Sequence, residues 1–152
     1  MEKFGTNQDP NSNGIEKTMN TINIDQITEF CTNWLESWTG NNPANLFSFY
    51  STDAYYQDPA NPNGLRGSEE IYPYFEKLLA RNPTWKWTVE EIFPTEKGFI
   101  LKWKAILPVG RITITEYGMD IVELKDNKIV RNEVYFDPTK FLTLSKQESS
   151  RA

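Results

Sequence analysis

Residues 50–59 read YSTDAYYQDP, and residues 64–71 read GLRGSEEI. Alternation along the first stretch places Tyr56 and Asp58 on one face of a strand. The Asp58-Pro59 dipeptide is typical of a turn, in which the Asp often caps the segment that follows. The second stretch runs through Gly67 into a segment whose apolar residues recur at helical spacing. This region therefore predicts a strand, a turn and the start of a helix in close succession.

Three helices are predicted around this region. The first begins after Asn23, which is a suitable N-cap residue, and stops at Gly40. A second, short helix follows Asn42. The third runs from about Ser68 to Arg81, and Pro73 near its start predicts an irregular first turn.

Long strands are predicted after residue 84, where the apolar period changes to two. The dipeptide Asp126-Asn127 indicates a tight hairpin between the last two strands. Helices followed by a meander of strands favour the α+β class. We expect a cone-shaped roll, with three helices packed on a strongly curved antiparallel sheet and a pocket at its centre. The strands fall at residues 85–90, 99–107, 111–124 and 128–137.

Length and composition indicate one globular domain. The chain has 152 residues, of which 38% are hydrophobic and 24% charged. Its polar ends predict a disordered N-terminal tail over residues 1–21 and a flexible C-terminal tail over residues 145–152, with the folded domain at 22–144.

Charge and hydropathy exclude several classes of partner. The net charge is −5 and no basic stripe appears, so we expect no nucleic acid partner. No apolar run approaches the roughly 20 residues of a membrane span, and residues 1–21 lack the apolar core of a secretory signal. A single cysteine, Cys31, suits a reducing compartment, and its place on the apolar stripe of the first helix predicts a buried structural thiol. We therefore expect a cytoplasmic protein.

Histidine is absent from the chain. Relays that need an imidazole, such as Ser–His–Asp, are therefore excluded. Zinc and non-haem iron sites usually require imidazole or several thiolates, and one cysteine supplies neither. Acid–base chemistry would fall to carboxylates, tyrosines or lysines.

The opening stretches, together with residues 117–122 (YGMDIV) and 132–137 (NEVYFD), resemble the nuclear transport factor 2-like superfamily. That superfamily includes ketosteroid isomerase, SnoaL-like polyketide cyclases and limonene epoxide hydrolase. The resemblance covers residues 22–144. It implies that Asp58 matches the proton-transferring Asp of ketosteroid isomerase, and that Asp120 matches the protonated Asp that donates to the substrate oxyanion.

Two departures from these relatives limit the mechanism. The oxyanion Tyr of the isomerase falls near Asn33 or Trp34, and neither is a phenol, although the Asn33 amide could still donate a hydrogen bond. Tyr56 and Asp58 roughly match the water-positioning residues of the epoxide hydrolase. Its Arg, however, falls at Gly118 and its final Asp at about Val134, which argues against epoxide hydrolysis.

The residues themselves also favour an inward Asp120. It shares a strand face with Gly118 and Val122, while Glu123 lies on the opposite face. The alternative interpretation is that the strand face of Asp120 is exposed to solvent and that Met119, Ile121 and Glu123 point inward. We expect an inward side chain whose pKa is raised mainly by desolvation. Asp58 remains either a pocket residue or a turn residue.

We expect an aromatic pocket wall. Most of the five tryptophans would serve as core and wall, and Trp87 and Trp103 could stack on a ring-shaped ligand. The residues predicted to contact a ligand are Asn33, Trp34, Tyr56, Trp87, Trp103, Val134 and Phe136.

These features favour a SnoaL-like pocket protein that acts as an isomerase or cyclase on a small apolar carbonyl compound. Asp58 would abstract a proton next to the carbonyl, and Asp120 would stabilise the enolate. Placed carboxyl groups suffice for such chemistry, so we expect neither a cofactor nor a metal. The alternative is a non-catalytic ligand-binding or dimerisation module, and the sequence leaves open whether the protein is an enzyme. In either case we expect a homodimer through the open sheet face, which carries Lys102, Lys104, Thr113 and Thr115.

Overall fold

The start of the first helix follows directly from its sequence. In the computed structural model, which describes residues 23–151, the Asn23 side chain accepts a hydrogen bond from the Asp25 backbone N–H at 3.0 Å. Helix α1 (Ile24–Glu36) begins there and ends before the predicted stop at Gly40. The predicted tail over residues 1–21 lies outside the described residues.

Two further helices begin close to their predicted positions. Helix α2 (Pro43–Phe47) is capped by Asn42, whose side chain accepts from the Asn45 backbone N–H at 3.1 Å. Helix α3 (Gly67–Arg81) follows, and Pro73 lies inside it. Gly67 has φ +74°, a conformation that favours glycine where the strand before it turns into the helix.

Six strands form one curved, unclosed sheet. They are β1 (Tyr50–Asp58), β2 (Asn61–Arg66), β3 (Lys86–Pro94), β4 (Gly98–Val109), β5 (Ile112–Lys125) and β6 (Lys128–Tyr135), in the order β2-β1-β6-β5-β4-β3. The predicted α+β class is confirmed. One pair differs from the expected antiparallel meander, because β1 and β6 run parallel. This pairing joins the first strand to the last, which no local pattern could indicate.

The predicted hairpin between β5 and β6 is confirmed. Asp126 and Asn127 both have positive φ, 52° and 61°, as a two-residue turn of the favoured hand requires. Strand β2 was not predicted. Its sequence begins Asn61-Pro-Asn-Gly, which is typical of a turn, and a proline is tolerated there because β2 lies at the edge of the sheet.

A fourth helix, α4 (Thr139–Ser149), follows the last strand. Residues 145–149, which the sequence assigned to a flexible tail, belong to this helix. None of its residues is buried, so it lacks the apolar stripe by which a helix is recognised in a sequence. Phe141 and Leu144 pack against the core, and the Phe141 ring meets the Trp85 ring edge-on at 5.1 Å. The Glu148 carboxylate accepts from the Arg111 backbone N–H at 3.1 Å.

The core lies between the helices and the concave face of the sheet. Its largest fully buried side chains include Trp34 from α1, Phe75 from α3 and Phe99 from β4. Cys31 is also fully buried and unpaired within the described residues. None of the helices in residues 23–151 is long and apolar enough to cross a membrane. The core fills one end of the roll, and the other end holds a cavity.

Candidate functional site

A cavity of about 260 Å³ lies between the concave sheet face, α1, α3 and α4. Eight aromatic side chains line it, together with aliphatic residues and prolines. Among residues 23–151, the charged residues in the lining are three acids, Asp58, Glu116 and Asp120, with no lysine or arginine beside them. The aromatic lining residues are Trp38, Tyr56, Tyr74, Trp85, Trp87, Trp103, Phe136 and Phe141.

Asp120 lies on the inner face of β5, as the sequence predicted, and is 4% exposed. One carboxyl oxygen, Oδ1, accepts a hydrogen bond from Trp103 Nε1 at 2.7 Å. The other, Oδ2, accepts from Asn132 Nδ2 at 2.9 Å. A carboxylate offers about four lone-pair sites, so each oxygen of Asp120 keeps one site free.

A chain of buried hydrogen bonds fixes Asn132. Tyr50 Oη donates to Asn132 Oδ1 at 2.8 Å, which turns the amide NH₂ of Asn132 toward Asp120. Trp34 Nε1 in turn donates to Tyr50 Oη at 3.3 Å. Trp34 was predicted to contact a ligand, but it is fully buried and is not part of the cavity wall. Its link to the site runs through Tyr50 and Asn132, because α1 turns its indole into the core.

Burial raises the pKa of Asp120 from its ordinary value to about 7. Hydrogen bonds from Asn132 and Trp103 act in the opposite direction, and the negative charge of Asp58 raises it further. This agrees with the expectation that desolvation dominates. Near neutral pH, Asp120 therefore exists both as an acid and as its conjugate base.

Gly118 explains how the Trp103 indole reaches Asp120. A methyl group at Gly118 would lie 2.2 Å from Cζ2 of Trp103, well inside contact distance. The indole therefore lies directly on the backbone of β5, where only glycine leaves room. In the resemblance to limonene epoxide hydrolase this position corresponds to an arginine, and here the indole of Trp103 fills the space.

Asp58 also lies at the cavity, with 8% of its surface exposed. Its Oδ2 accepts from the hydroxyls of Tyr56 at 2.9 Å and Tyr74 at 2.5 Å. Its Oδ1 accepts from the backbone N–H and the side-chain amide of Asn61, both at 2.9 Å. Asp58 thus combines the turn role and the pocket role, and these donors occupy all of its lone-pair sites.

Two phenols of the wall remain neutral. Burial raises the pKa of Tyr56 well above its ordinary value, and the nearby Asp58 charge adds to the effect. Burial likewise raises the pKa of Tyr74, as does its hydrogen bond to Asp58. Both hydroxyls therefore act as donors to Asp58.

Five of the seven residues predicted to contact a ligand line the cavity, and two, Asn33 and Trp34, do not. Tyr56, Trp87, Trp103, Val134 and Phe136 all line the cavity.

Asn33, which was predicted to contact a ligand, is not among the residues that line the cavity. The buried stripe of α1 consists of Ile27, Cys31, Trp34 and Leu35, and Asn33 points to solvent from the opposite side of the helix. Its amide therefore cannot replace the missing phenol.

Sequence reasoning missed three polar residues of the site. Asn132 was quoted only as part of the family resemblance, although a buried Asn in mid-strand is unusual enough to mark a site. Tyr74 was not among the predicted ligand contacts. Glu116 was not considered, although it shares the inward parity of Gly118 and Asp120 on β5. Its Oε1 is buried and has no hydrogen-bond partner within residues 23–151.

Comparisons with known proteins agree with this architecture. The sequence profile of the SnoaL-like domain family matches residues 31–132. No curated protein matches the chain by sequence.

Within residues 23–151, no three His, Cys, Asp or Glu side chains are grouped as they would be to hold a metal ion.

Several solved structures share the fold at low sequence identity. A protein with a ketosteroid isomerase-like fold from Catenulispora acidiphila, solved with trimethylamine, has 18% identity and a TM-score of 0.68, covering 78% of this chain and 92% of its own. TerC, co-crystallised with polyporic acid, has 14% identity and a TM-score of 0.67, covering 79% and 98%. A candidate SnoaL-like polyketide cyclase from Jannaschia has 11% identity and a TM-score of 0.66, covering 78% and 90%.

Proposed function

Because the chain belongs to the SnoaL-like domain family, we propose that its cavity binds a small, largely apolar carbonyl compound and that Asp120 transfers a proton next to the carbonyl. The observation that carries this proposal is a buried carboxyl group with a pKa of about 7 inside an apolar wall. A general acid or base works best when its pKa lies near the working pH. An ordinary surface Asp would be ionised at that pH and would be a much weaker base.

Asp58 and Asp120 have different roles here from those predicted from the sequence. Proton abstraction was assigned to Asp58, but four hydrogen bonds occupy its lone-pair sites. Asp58 could accept a proton from a substrate only by giving up one of these bonds. Asp120 keeps a free site on each oxygen, so it is the better candidate. Asp58 then holds the two phenols in place and raises the pKa of Asp120.

In this reaction one carboxyl group, that of Asp120, both removes and returns the proton. The ionised Asp120 takes a proton from the carbon next to the carbonyl, and the electron pair of that C–H bond moves into the enolate. The neutral carboxylic acid then returns the proton either to the same carbon or to another carbon of the enolate system. In deuterated water, the first outcome gives exchange when the carboxyl proton is replaced by a deuteron from solvent before its return, and the second outcome is isomerisation.

Hydrogen exchange in deuterated water tests the proposal. We expect the protein to catalyse exchange at the carbon next to the carbonyl of a small cyclic ketone, followed by NMR. Asp120→Asn should lower the rate about 100-fold or more, because positioned acid–base groups contribute at least that much. Unchanged exchange in Asp120→Asn would contradict the role given to this residue.

A second candidate function is ligand binding without reaction. It is favoured by the saturated hydrogen bonding of Asp58, which removes one of the two carboxylates that the sequence predicted to be catalytic. The small molecules crystallised with two fold relatives also suit a cavity that holds ligands. Ketone binding that quenches tryptophan fluorescence, with no exchange above the buffer rate, would favour this function.

A further inference from the structure

A row of three side chains crosses the inner face of the sheet away from Asp120. Trp87 on β3 lies directly opposite Ala105 on β4, and Ala105 lies directly opposite Glu116 on β5. Residues directly opposite each other in antiparallel strands share a face, and all three line the cavity. Because Ala105 is small, it leaves open space between the Trp87 indole and the Glu116 carboxylate.

The aromatic side of this space is a corner built from three rings. Trp85 meets Trp87 at 6.0 Å with an interplanar angle of 62°, and Phe141 from α4 meets Trp85 at 5.1 Å. All three rings belong to the cavity wall. Faces of indole rings attract cations, most strongly where water is excluded.

The acidic side of this space has an unmet hydrogen-bonding need. Oε1 of Glu116 is buried and has no donor within residues 23–151. Leaving a buried acceptor without a donor costs about 1–3 kcal/mol, and more for a charged group. The other two acids of the lining already accept hydrogen bonds on both oxygens. In the part of the chain that the structure describes, no basic side chain lines the cavity to supply the missing donor, so a ligand is the natural source.

We propose that the cavity takes a two-ended ligand, with a carbonyl group at Asp120 and a protonated amine at Glu116. The amine N–H would donate to Oε1 of Glu116, and its alkyl groups would lie against Trp85, Trp87 and Phe141. This inference rests on the proposed function, since it identifies the substrate class of the same cavity.

The spacing of the two acids sets the length of this ligand. Glu116 and Asp120 lie four residues apart on one strand, which separates their α-carbons by about 13 Å. A hydrogen bond of roughly 2.8 Å at the amine, and a somewhat longer contact between Asp120 and the carbon next to the carbonyl, leave room for a chain of about four methylene groups between carbonyl and nitrogen. A ligand of that size suits a cavity of about 260 Å³.

A matched pair of ketones tests the proposal. One is a methyl ketone whose four-carbon chain ends in a dimethylammonium group, and the other ends in an isopropyl group of nearly the same shape. We expect the cationic ketone to bind about 10-fold more tightly, measured by tryptophan fluorescence and calorimetry. Equal binding of the two ketones would overturn the proposal.

Two variants locate the effect. Glu116→Gln should lower the preference for the cationic ketone to about 2-fold or less, measured as the ratio of the affinities of the two ketones for the same variant. Glu96→Gln, an exposed position, changes the net charge equally and should keep the preference. A preference that survives Glu116→Gln, or is lost in Glu96→Gln, would show that Glu116 does not receive the amine.

Failure of this inference is distinguishable from failure of the proposed function. Hydrogen exchange of the neutral isopropyl ketone by the wild type tests the role of Asp120, because this ketone has no amine for Glu116 to bind. Exchange without a preference for the amine would overturn the two-ended ligand and keep the role of Asp120. A preference for the amine without any exchange would overturn the role of Asp120 and keep the amine site at Glu116.

Discussion

At the residue scale, Asp120 depends on a glycine that it does not touch. Gly118 lets the Trp103 indole lie on β5, and that indole donates to the carboxyl group. A sequence shows Gly118 only as a small residue in a strand. The reason for it lies on the neighbouring strand, so it becomes visible only when the register of β4 and β5 is known.

Gly118→Ala should displace the Trp103 indole and weaken its hydrogen bond to Asp120. That bond lowers the pKa of Asp120, so its loss should move the pH profile of hydrogen exchange upward. We also expect a loss of about 1–3 kcal/mol in the free energy of unfolding from overpacking. Trp103→Phe is the matched control, because it removes the N–H without adding a methyl group. An unchanged pH profile in both variants would contradict this role of the indole.

The raised pKa of Asp120 also predicts how stability depends on pH. In the folded state Asp120 holds its proton up to about pH 7, whereas in the unfolded chain its pKa returns to the ordinary value of 3.8. Between these values the folded state binds more protons, so this group's contribution to stability is lost as pH rises.

Urea unfolding of the wild type and of Asp120→Asn at two pH values measures this contribution. Between about pH 5.5 and pH 8, the wild type should lose roughly 2 kcal/mol more than the variant, which keeps a neutral side chain throughout. Parallel pH curves for the two proteins would contradict a raised pKa.

At the scale of elements, predictions from the sequence held where a segment carries its own signal. Asn23 and Asn42 mark the starts of α1 and α2, and Asp126-Asn127 marks the last hairpin. Strand β2 and helix α4 carry no such signal. The first has the composition of a turn, and the second buries no side chain.

Helix α4 covers one side of the cavity through Pro138 before it and Phe141 and Leu142 within it. Phe141→Ala should remove the ring that packs on Trp85 and widen the opening. We expect ketone affinity to fall about 5- to 10-fold, since burial of an aromatic ring is worth 1–2 kcal/mol even when partial. Titration of tryptophan fluorescence measures the effect. Thr143→Ala, at an exposed position of the same helix, should leave the affinity unchanged.

At the scale of the whole molecule, the two faces of the sheet differ in kind. The concave face forms the core and the cavity. The outer face carries large exposed side chains, among them Tyr117 and Met119 on β5 and Tyr135 on β6, with Met119 directly opposite Tyr135. Lys102 and Lys104, which the sequence places on the open sheet face, lie next to these side chains. Lys102 lies directly opposite Met119 and Lys104 directly opposite Tyr117 in the register of β4 and β5.

We expect a second copy of the chain to cover this outer face, as the sequence predicted. Met119→Glu should place a charge in the middle of the apolar side chains and convert a dimer into a monomer, measured by sedimentation velocity. The cavity lies on the opposite face, so ketone binding should persist in the variant. A wild type that sediments as a monomer at micromolar concentration would contradict the prediction.

The site could be predicted only in part. Strand parity and the family resemblance placed Asp58, Asp120 and most of the aromatic wall. Neither showed that all lone-pair sites of Asp58 are occupied, because Asn61 and Tyr74 come from β2 and α3, whose positions depend on the folded chain. The orphaned Glu116 oxygen is likewise a property of three-dimensional packing.

The Trp103–Asp120 hydrogen bond gives the protein an internal reporter. The indole N–H proton of Trp103 is bound to the carboxyl oxygen whose charge changes near neutral pH. Its NMR resonance should shift downfield as Asp120 ionises, because a charged acceptor forms the stronger hydrogen bond. One indole signal, followed through a pH titration and then through a ligand titration, would read out the protonation state of the site with no substrate turnover required.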